Sequence, residues 1–181
     1  YISAVIVLAV EEGVQDIEVG DRVACGGADY AIHSDVIALP RNLVAKIPDG
    51  ASMESAAYTT VASIALQGIR QTEPTLGETV VVIGLGLLGQ LTVQFLKANG
   101  CHVIGIDIDA EDIELAKKSG ADIVLNRNTD PVESVVQSAS GGHGADAVII
   151  TAGTNSNDPI ELAGRITRER GRVVVVGAAT M

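Results

Sequence analysis

The hydrophobic rhythm of the chain changes part-way along. From Thr79 onward, short apolar runs alternate with segments whose apolar residues recur at helical spacing. Thr79–Ile83 reads as a strand. A helix follows to Asn99, with Leu88, Leu91, Phe95 and Ala98 on one face and Gly100 as its stop. Residues 103–107 read as a second strand. Asp109 can cap the next helix, which carries Lys117 and Lys118 in its last turn, and residues 122–125 read as a third strand. Asp130-Pro-Val-Glu133 has the order of a helix start, with Asp as N-cap, Pro at the first position and Glu reaching back. That helix stops at Gly141-Gly142. Residues 145–151 form a fourth predicted strand, and Asp158-Pro-Ile-Glu161 repeats the helix start. Gly171 is expected to end that helix, with residues 172–177 as a fifth strand. Strict alternation predicts an α/β fold with a parallel, doubly wound sheet, its usual sixth strand missing.

Residues 1–56 read differently. Short β-like pieces at 3–10, 21–24, 30–33 and 43–47 are punctuated by Gly26-Gly27, Pro40 and Pro48-Asp-Gly50. This predicts an all-β segment. An Ala-rich helical stretch at 52–70 joins it to the alternating part, giving expected domains of 1–56 and 57–181. No internal repeat or low-complexity tract is present.

The chemistry concentrates where the first strand of the alternating part ends, in Gly84-x-Gly86-x-x-Gly89. Gly84 lets the chain turn sharply, Gly86 lets backbone approach a pyrophosphate, and Gly89 lets helix pack on sheet. The helix N-terminus offers unpaired N–H groups and partial positive charge to that pyrophosphate. Asp107, 18 positions past the last glycine, ends the second strand where a carboxylate can accept the adenosine ribose hydroxyls. Three glycines alone could be ordinary turn residues. Strand, glycines, helix, second strand and acid in order favour dinucleotide binding. Asp107 could be a mere surface acid, but Asp109 already fills the capping role. Thr151-Ala152-Gly153 and Gly177-Ala178 end the fourth and fifth strands, at the edge where ligands lie in such sheets.

Composition narrows the partners. Apolar residues make up 47%, yet the aromatics are only three Tyr and one Phe, which suits strands covered on both faces by helices. The net charge of −11 argues against nucleic acid or an anionic membrane as partner. The one basic cluster, Arg165, Arg168, Arg170 and Arg172, is expected late on a helix, as a solvated face. No leader or spanning segment is visible, and two distant cysteines, Cys25 and Cys101, make no disulfide framework; a reducing cytoplasm fits. His33, His102 and His143 do not cluster, and Cys25 with His33 lacks zinc spacing, so no metal site is expected.

Further residues carry a family resemblance. Val19-Gly-Asp-Arg-Val23, Leu39-Pro-x-x-Leu43, Ile47-Pro-Asp-Gly50 and Ala65-Leu-x-Gly68 precede the glycine loop. Gly105-Ile-Asp107, Leu115-Ala-x-x-x-Gly120-Ala-Asp122 and Gly171-Arg-Val-Val-Val-Val-Gly177 follow it. Together they resemble the medium-chain dehydrogenase/reductase superfamily, the alcohol dehydrogenase-like enzymes. The stretch Asp158-Pro-Ile-Glu-Leu-Ala163 is most similar to a branch fused to a second, sugar-type oxidoreductase.

The resemblance implies a partial GroES-like β segment followed by a Rossmann domain, and hydride transfer to or from NAD(H). It implies cofactor contacts at Gly84, Leu85, Gly86, Leu87, Leu88, Gly89, Asp107, Ile108, Thr151, Ala152, Gly153, Gly177 and Ala178. Leu88 resembles the residue packing behind the nicotinamide, though a core helix position fits it equally. It also implies a longer parent enzyme, with this chain inactive alone and not forming the family's usual dimer. Thr60 stands where zinc enzymes supply Cys or Glu. The implied substrate is a small alcohol, carbonyl or sugar. The substrate's identity, the proton donor and the oligomeric state stay open. A non-catalytic nucleotide-binding or sensing module is the alternative reading.

Overall fold

The computed structural model describes residues 2–177. The chain divides into two compact units, Tyr1–Ser63 and Ile64–Met181. In the first, β1 (Ser3–Ile6), β2 (Arg22–Cys25) and β3 (Val44–Lys46) pair antiparallel in that order. Alternation along β2 feeds two small cores. Val23 and Cys25 pack with Ile17 and Ala31, while Ala24 packs with Ile47 and Ala56. Ala56 lies on α1 (Met53–Ala57), capped by Ser52, whose hydroxyl accepts from the Ser55 N–H at 3.1 Å.

Two expectations for this unit fail. Residues 30–33 form no strand, because Gly27 (φ 102°) and Asp29 (φ 67°) curl the chain and the Ala31 N–H closes onto the Gly27 carbonyl at 3.0 Å. The stretch 52–70 is not one helix. A tight turn at Tyr58, whose N–H reaches the Ser55 carbonyl at 3.2 Å, separates α1 from α2 (Thr59–Thr72).

The second unit is a five-stranded parallel sheet of β4 (Thr79–Ile83), β5 (His102–Asp107), β6 (Ile123–Asn126), β7 (Ala145–Ile150) and β8 (Thr167–Val175). The order is β6-β5-β4-β7-β8. Helices α3 (Leu87–Ala98), α4 (Ala110–Lys118), α5 (Val132–Ala139) and α6 (Asp158–Ile166) connect the strands. On one face Val81, Ile83, Ile104, Ile106, Val148 and Ile150 meet Val132 and Val136 of α5 and Leu162 and Ile166 of α6. On the other, Val80, Val82, Val103 and Ile149 meet Val93 and Leu96 of α3, Ala116 of α4 and Ile69 of α2. Both faces are dry, so the central strands read as unbroken aliphatic runs. Each such side chain stabilises the fold by roughly 1.5–3 kcal/mol relative to exposure. The chain winds outward from β4 through β6, then returns to β7 on β4's other side. That reversal opens a crevice beyond the carboxyl ends of β4 and β7.

The structure corrects four local expectations here. α3 buries Gly89, Gln90, Thr92, Val93 and Leu96, while Leu88, Leu91 and Phe95 are only half-buried and Ala98 is exposed. Close packing at Gly89 sets that rotation. α6 ends at Ile166 rather than Gly171, its last turn closed by the Thr167 hydroxyl donating to the Ala163 carbonyl at 2.6 Å. β8 therefore starts at Thr167 and bulges, so Ala145 faces Thr167 but Ala147 faces Arg172. Of the arginine cluster only Arg165 is helical; Arg168 pairs with Asp146 at 2.6 Å and Arg172 with Glu73 at 2.7 Å. Neither Asp130 nor Asp158 is an N-cap. Asp130 accepts the Asn126 N–H at 2.7 Å, and Asp158 lies inside the first turn of α6, where its carboxylate holds Arg127. Among the described residues no helix is long and apolar enough to cross a membrane.

Candidate functional site

The glycine loop leaves β4 at its carboxyl end. Gly84 has φ 96°, and a Cβ there would lie 2.5 Å from the Ala152 nitrogen. Only glycine fits, for conformation and for space. A Cβ on Gly89 would lie 2.0 Å from the Gly84 carbonyl oxygen, so helix and turn touch backbone to backbone. Gly86 differs. It is extended (φ −63°, ψ −169°), precedes the first turn of α3 without a side-chain cap, and a Cβ on it would meet nothing within 4 Å. The first N–H groups of α3 have no carbonyl partner within the helix. Open space, a bare helix start and partial positive charge coincide there.

The residues between the glycines divide. Leu85 is fully buried in the sheet core and presents only backbone. Leu87 is exposed at the helix start, and Leu88 is half-buried.

Asp107 ends β5, beside this loop. Its Oδ2 accepts the Leu85 N–H, and its Oδ1 accepts the N–H groups of Ile108 at 2.6 Å and Asp109 at 3.0 Å. Three backbone donors fix the carboxylate and leave about one of its four lone-pair sites, on Oδ2, for a ligand. Ile108 is largely exposed next to it. Asp109 caps α4 through the N–H groups of Glu111 and Asp112. The neighbourhood is acidic: burial, then the charges of Asp107, Asp109 and Glu111, push the Asp112 carboxyl above its ordinary value.

On the other side of β4, Thr151 ties the end of β7 to the loop. Its hydroxyl donates to the Gly84 carbonyl at 2.5 Å, and its N–H bonds the Ile83 carbonyl at 2.8 Å. Gly177 packs so closely that a Cβ would sit 2.2 Å from the Ala152 carbonyl oxygen, whereas Gly153 has nothing within 4 Å of its Cβ position. The structure thus brings together Gly84–Gly89, Asp107, Ile108, Thr151–Gly153 and Gly177 at one edge of the sheet. Ala178 lies outside the described residues.

Two features of this edge escaped sequence reasoning. Gln90 is buried, and its amide nitrogen donates to the carbonyls of Leu85 at 2.7 Å and Asp112 at 2.8 Å, tying the loop to α4. A glutamine directly after the last glycine, on the inward face of a helix, is a readable signal. The second is the Arg127–Asp158 fork, with Nε–Oδ2 at 2.9 Å and Nη2–Oδ1 at 2.7 Å. It spans 31 residues and leaves no local trace. The Arg127 hydrogen bonds hold the Asp158 carboxyl below its ordinary range.

Metal chemistry finds no donor set. Among the described residues no three His, Cys, Asp or Glu side chains are grouped to hold an ion. The Thr60 hydroxyl donates to the Cys25 carbonyl at 3.1 Å, and burial pushes both the Cys25 and Cys101 thiols up. These residues do not fit zinc. A groove of about 670 Å³ in the first unit is lined chiefly by aliphatic residues such as Val5, Val7, Val14, Ile37 and Leu39.

The family described as zinc-binding dehydrogenase matches residues 88–181. An alcohol dehydrogenase from Geobacillus stearothermophilus is 32% identical over 95% of this chain and 58% of its own length. The solved alcohol dehydrogenase TADH from Thermus sp. ATN1 superposes with a TM-score of 0.89 at 25% identity, over 98% of this chain and 61% of its own. A mycobacterial protein solved in complex with NADPH is 31% identical with a TM-score of 0.82, over 97% of this chain and 56% of its own. The chain spans somewhat over half the length of the first of these relatives.

Proposed function

The chain belongs to the medium-chain dehydrogenase/reductase superfamily, within the zinc-binding dehydrogenase family, and from that premise we propose that it is the nicotinamide-cofactor part of an alcohol dehydrogenase-like oxidoreductase. The observation that carries this reading is the Asp107 carboxylate. It is held by the glycine loop's own Leu85 N–H, beside the open backbone at Gly86. One residue for ribose and one loop for pyrophosphate thus share a hydrogen bond.

The residues present fit a dinucleotide. Gly84 and Gly89 bring helix and strand close enough to form the loop, Gly86 leaves room for phosphate oxygens, and α3 supplies N–H donors. Ile108 gives an apolar surface for adenine beside Asp107. Gly153, with nothing within 4 Å of its Cβ position, leaves room at this edge for the nicotinamide half. A bound cofactor would supply the hydride chemistry, while the chain orients it. The substrate class is a small alcohol, carbonyl or sugar.

Of the two nicotinamide cofactors the site suits NAD(H). A carboxylate that accepts a ribose hydroxyl loses that bond when the 2′ oxygen carries phosphate, and meets a like charge. No Lys or Arg occurs from 103 to 115 to offset it. Charge-assisted hydrogen bonds contribute about 1.5–3 kcal/mol, so a preference of roughly tenfold to a hundredfold follows. Calorimetric titration of the chain with NADH and NADPH tests both halves of the reading. NADH binding with weaker NADPH is expected. No binding of either would refute the cofactor assignment, and equal affinity would refute the role of Asp107.

A further inference from the structure

Asp107 and Arg127 are closer neighbours than their separation in sequence suggests. β5 and β6 run parallel with Asp107 opposite Asn126, and the Arg127 N–H donates to the Asp107 carbonyl at 2.8 Å. Strands so paired lie about 5 Å apart, well within the reach of an arginine side chain. The Asn126 amide donates to the Ile108 carbonyl at 3.2 Å, fixing the start of this loop against the segment after Asp107. Arg127 is therefore rooted, through its backbone, on the strand beside Asp107. A 2′-phosphate there would find in it the bidentate partner that guanidinium forks favour.

Its fork is already occupied. Both Nε and Nη2 are taken by the two oxygens of Asp158, across the edge at the first turn of α6. The nearby Arg165 is likewise matched, to Glu133 at 3.3 Å. The Asp158 side chain is 44% exposed against 23% for Arg127, so the acid can be replaced without opening the core. We propose that Asp158 is a specificity-determining residue, which holds Arg127 in a bidentate pair and so keeps it from serving as a receptor for the 2′-phosphate of NADP(H). Asp107 disfavours the phosphate directly, while Asp158 removes the cation that would welcome it. This rests on the cofactor reading above, with the adenosine ribose at Asp107.

A purely structural fork would change stability and leave cofactor choice untouched. Calorimetric titration with NADH and NADPH is therefore made on the unmodified chain, on Asp158→Asn, and on Asp158→Asn combined with Arg127→Ala. Circular dichroism verifies the fold of each. Asp158→Asn is expected to raise affinity for NADPH relative to NADH by about tenfold, the value of one charge-assisted contact, and Arg127→Ala should cancel that gain. Asp158→Ser, which also removes the carboxylate, carries the same comparison if Asp158→Asn does not fold. NADH binding with an unmoved ratio, or a gain that survives loss of Arg127, overturns the inference and leaves the cofactor reading standing. Failure of the unmodified chain to bind NADH overturns that reading, and the inference with it.

Discussion

Gly86 and Gly89 are the same residue type three positions apart, yet they meet opposite surroundings. A methyl group on Gly89 collides with the Gly84 carbonyl, whereas one on Gly86 meets nothing in the protein. Gly89→Ala should lower stability by about 1–3 kcal/mol, the usual cost of overpacking, seen as a reduced urea midpoint. Gly86→Ala should unfold within about 1 kcal/mol of the unmodified chain, since an alanine at the residue before a helix is only mildly unfavourable. It should nonetheless weaken NADH binding at least about tenfold, because only the ligand would meet the new methyl group. A Gly86→Ala variant that binds NADH normally would show that the pyrophosphate lies elsewhere. Asp107 and Asp109 make a similar contrast. Asp107→Ser should weaken NADH and narrow its margin over NADPH in calorimetric titration. Asp109→Ser keeps a capping side chain and should leave that margin nearly unchanged.

At the scale of elements, polar residues lock the sheet where hydrophobic packing cannot set register. Gln90 joins the glycine loop to α4. Asp122 does the same at the opposite edge, accepting the Lys97 ammonium of α3 at 2.7 Å and the Val103 N–H of β5 at 2.7 Å. Burial raises the Asp122 carboxyl pKa, but the Lys97 and Val103 hydrogen bonds outweigh it and hold the group below its ordinary 3.8. A folded-state pKa below the unfolded one contributes stability above pH 3.8, and that contribution disappears as pH falls through the folded value. Asp122→Asn should therefore cost about 1 kcal/mol at neutral pH, given that the pair is partly solvated. Urea unfolding at a series of pH values should show the two curves converging below pH 3.8. A gap that stays constant with pH would deny the ion pair its role.

At the largest scale, the chain carries the fold of its dehydrogenase family without a metal-ligand cluster among the described residues. Thr60 is engaged with the Cys25 carbonyl, and both cysteines are buried and free. The expected outcome of metal analysis after dialysis is no stoichiometric zinc, with an unfolding midpoint unchanged by a strong chelator. One tightly held zinc per chain would contradict it. The sheet's exposed edge is the other feature at this scale. β8 leaves Val173 and Val175 more than two-fifths exposed, while the bulge around Arg170 and Gly171 interrupts its regular pairing.

The sequence alone determined the α/β alternation, the glycine loop and the acid at the end of β5. Each is a local pattern: aliphatic runs of strand length, glycines where no side chain is tolerated, and an acid a fixed distance along. It also carried the family, because those signals come in a set order. Only the tertiary structure decided which face of α3 turns inward, since that depends on Gly89 meeting the Gly84 carbonyl five residues back. The end of α6 at Ile166 depended on the pairing of β8 with β7, which outweighed the apparent helix stop at Gly171. Asp130 and Asp158 look like helix caps in sequence, yet one carboxylate turns to the Asn126 N–H and the other to Arg127. A side chain takes the best donor that folding brings within reach, and for Asp158 that donor stands 31 residues away.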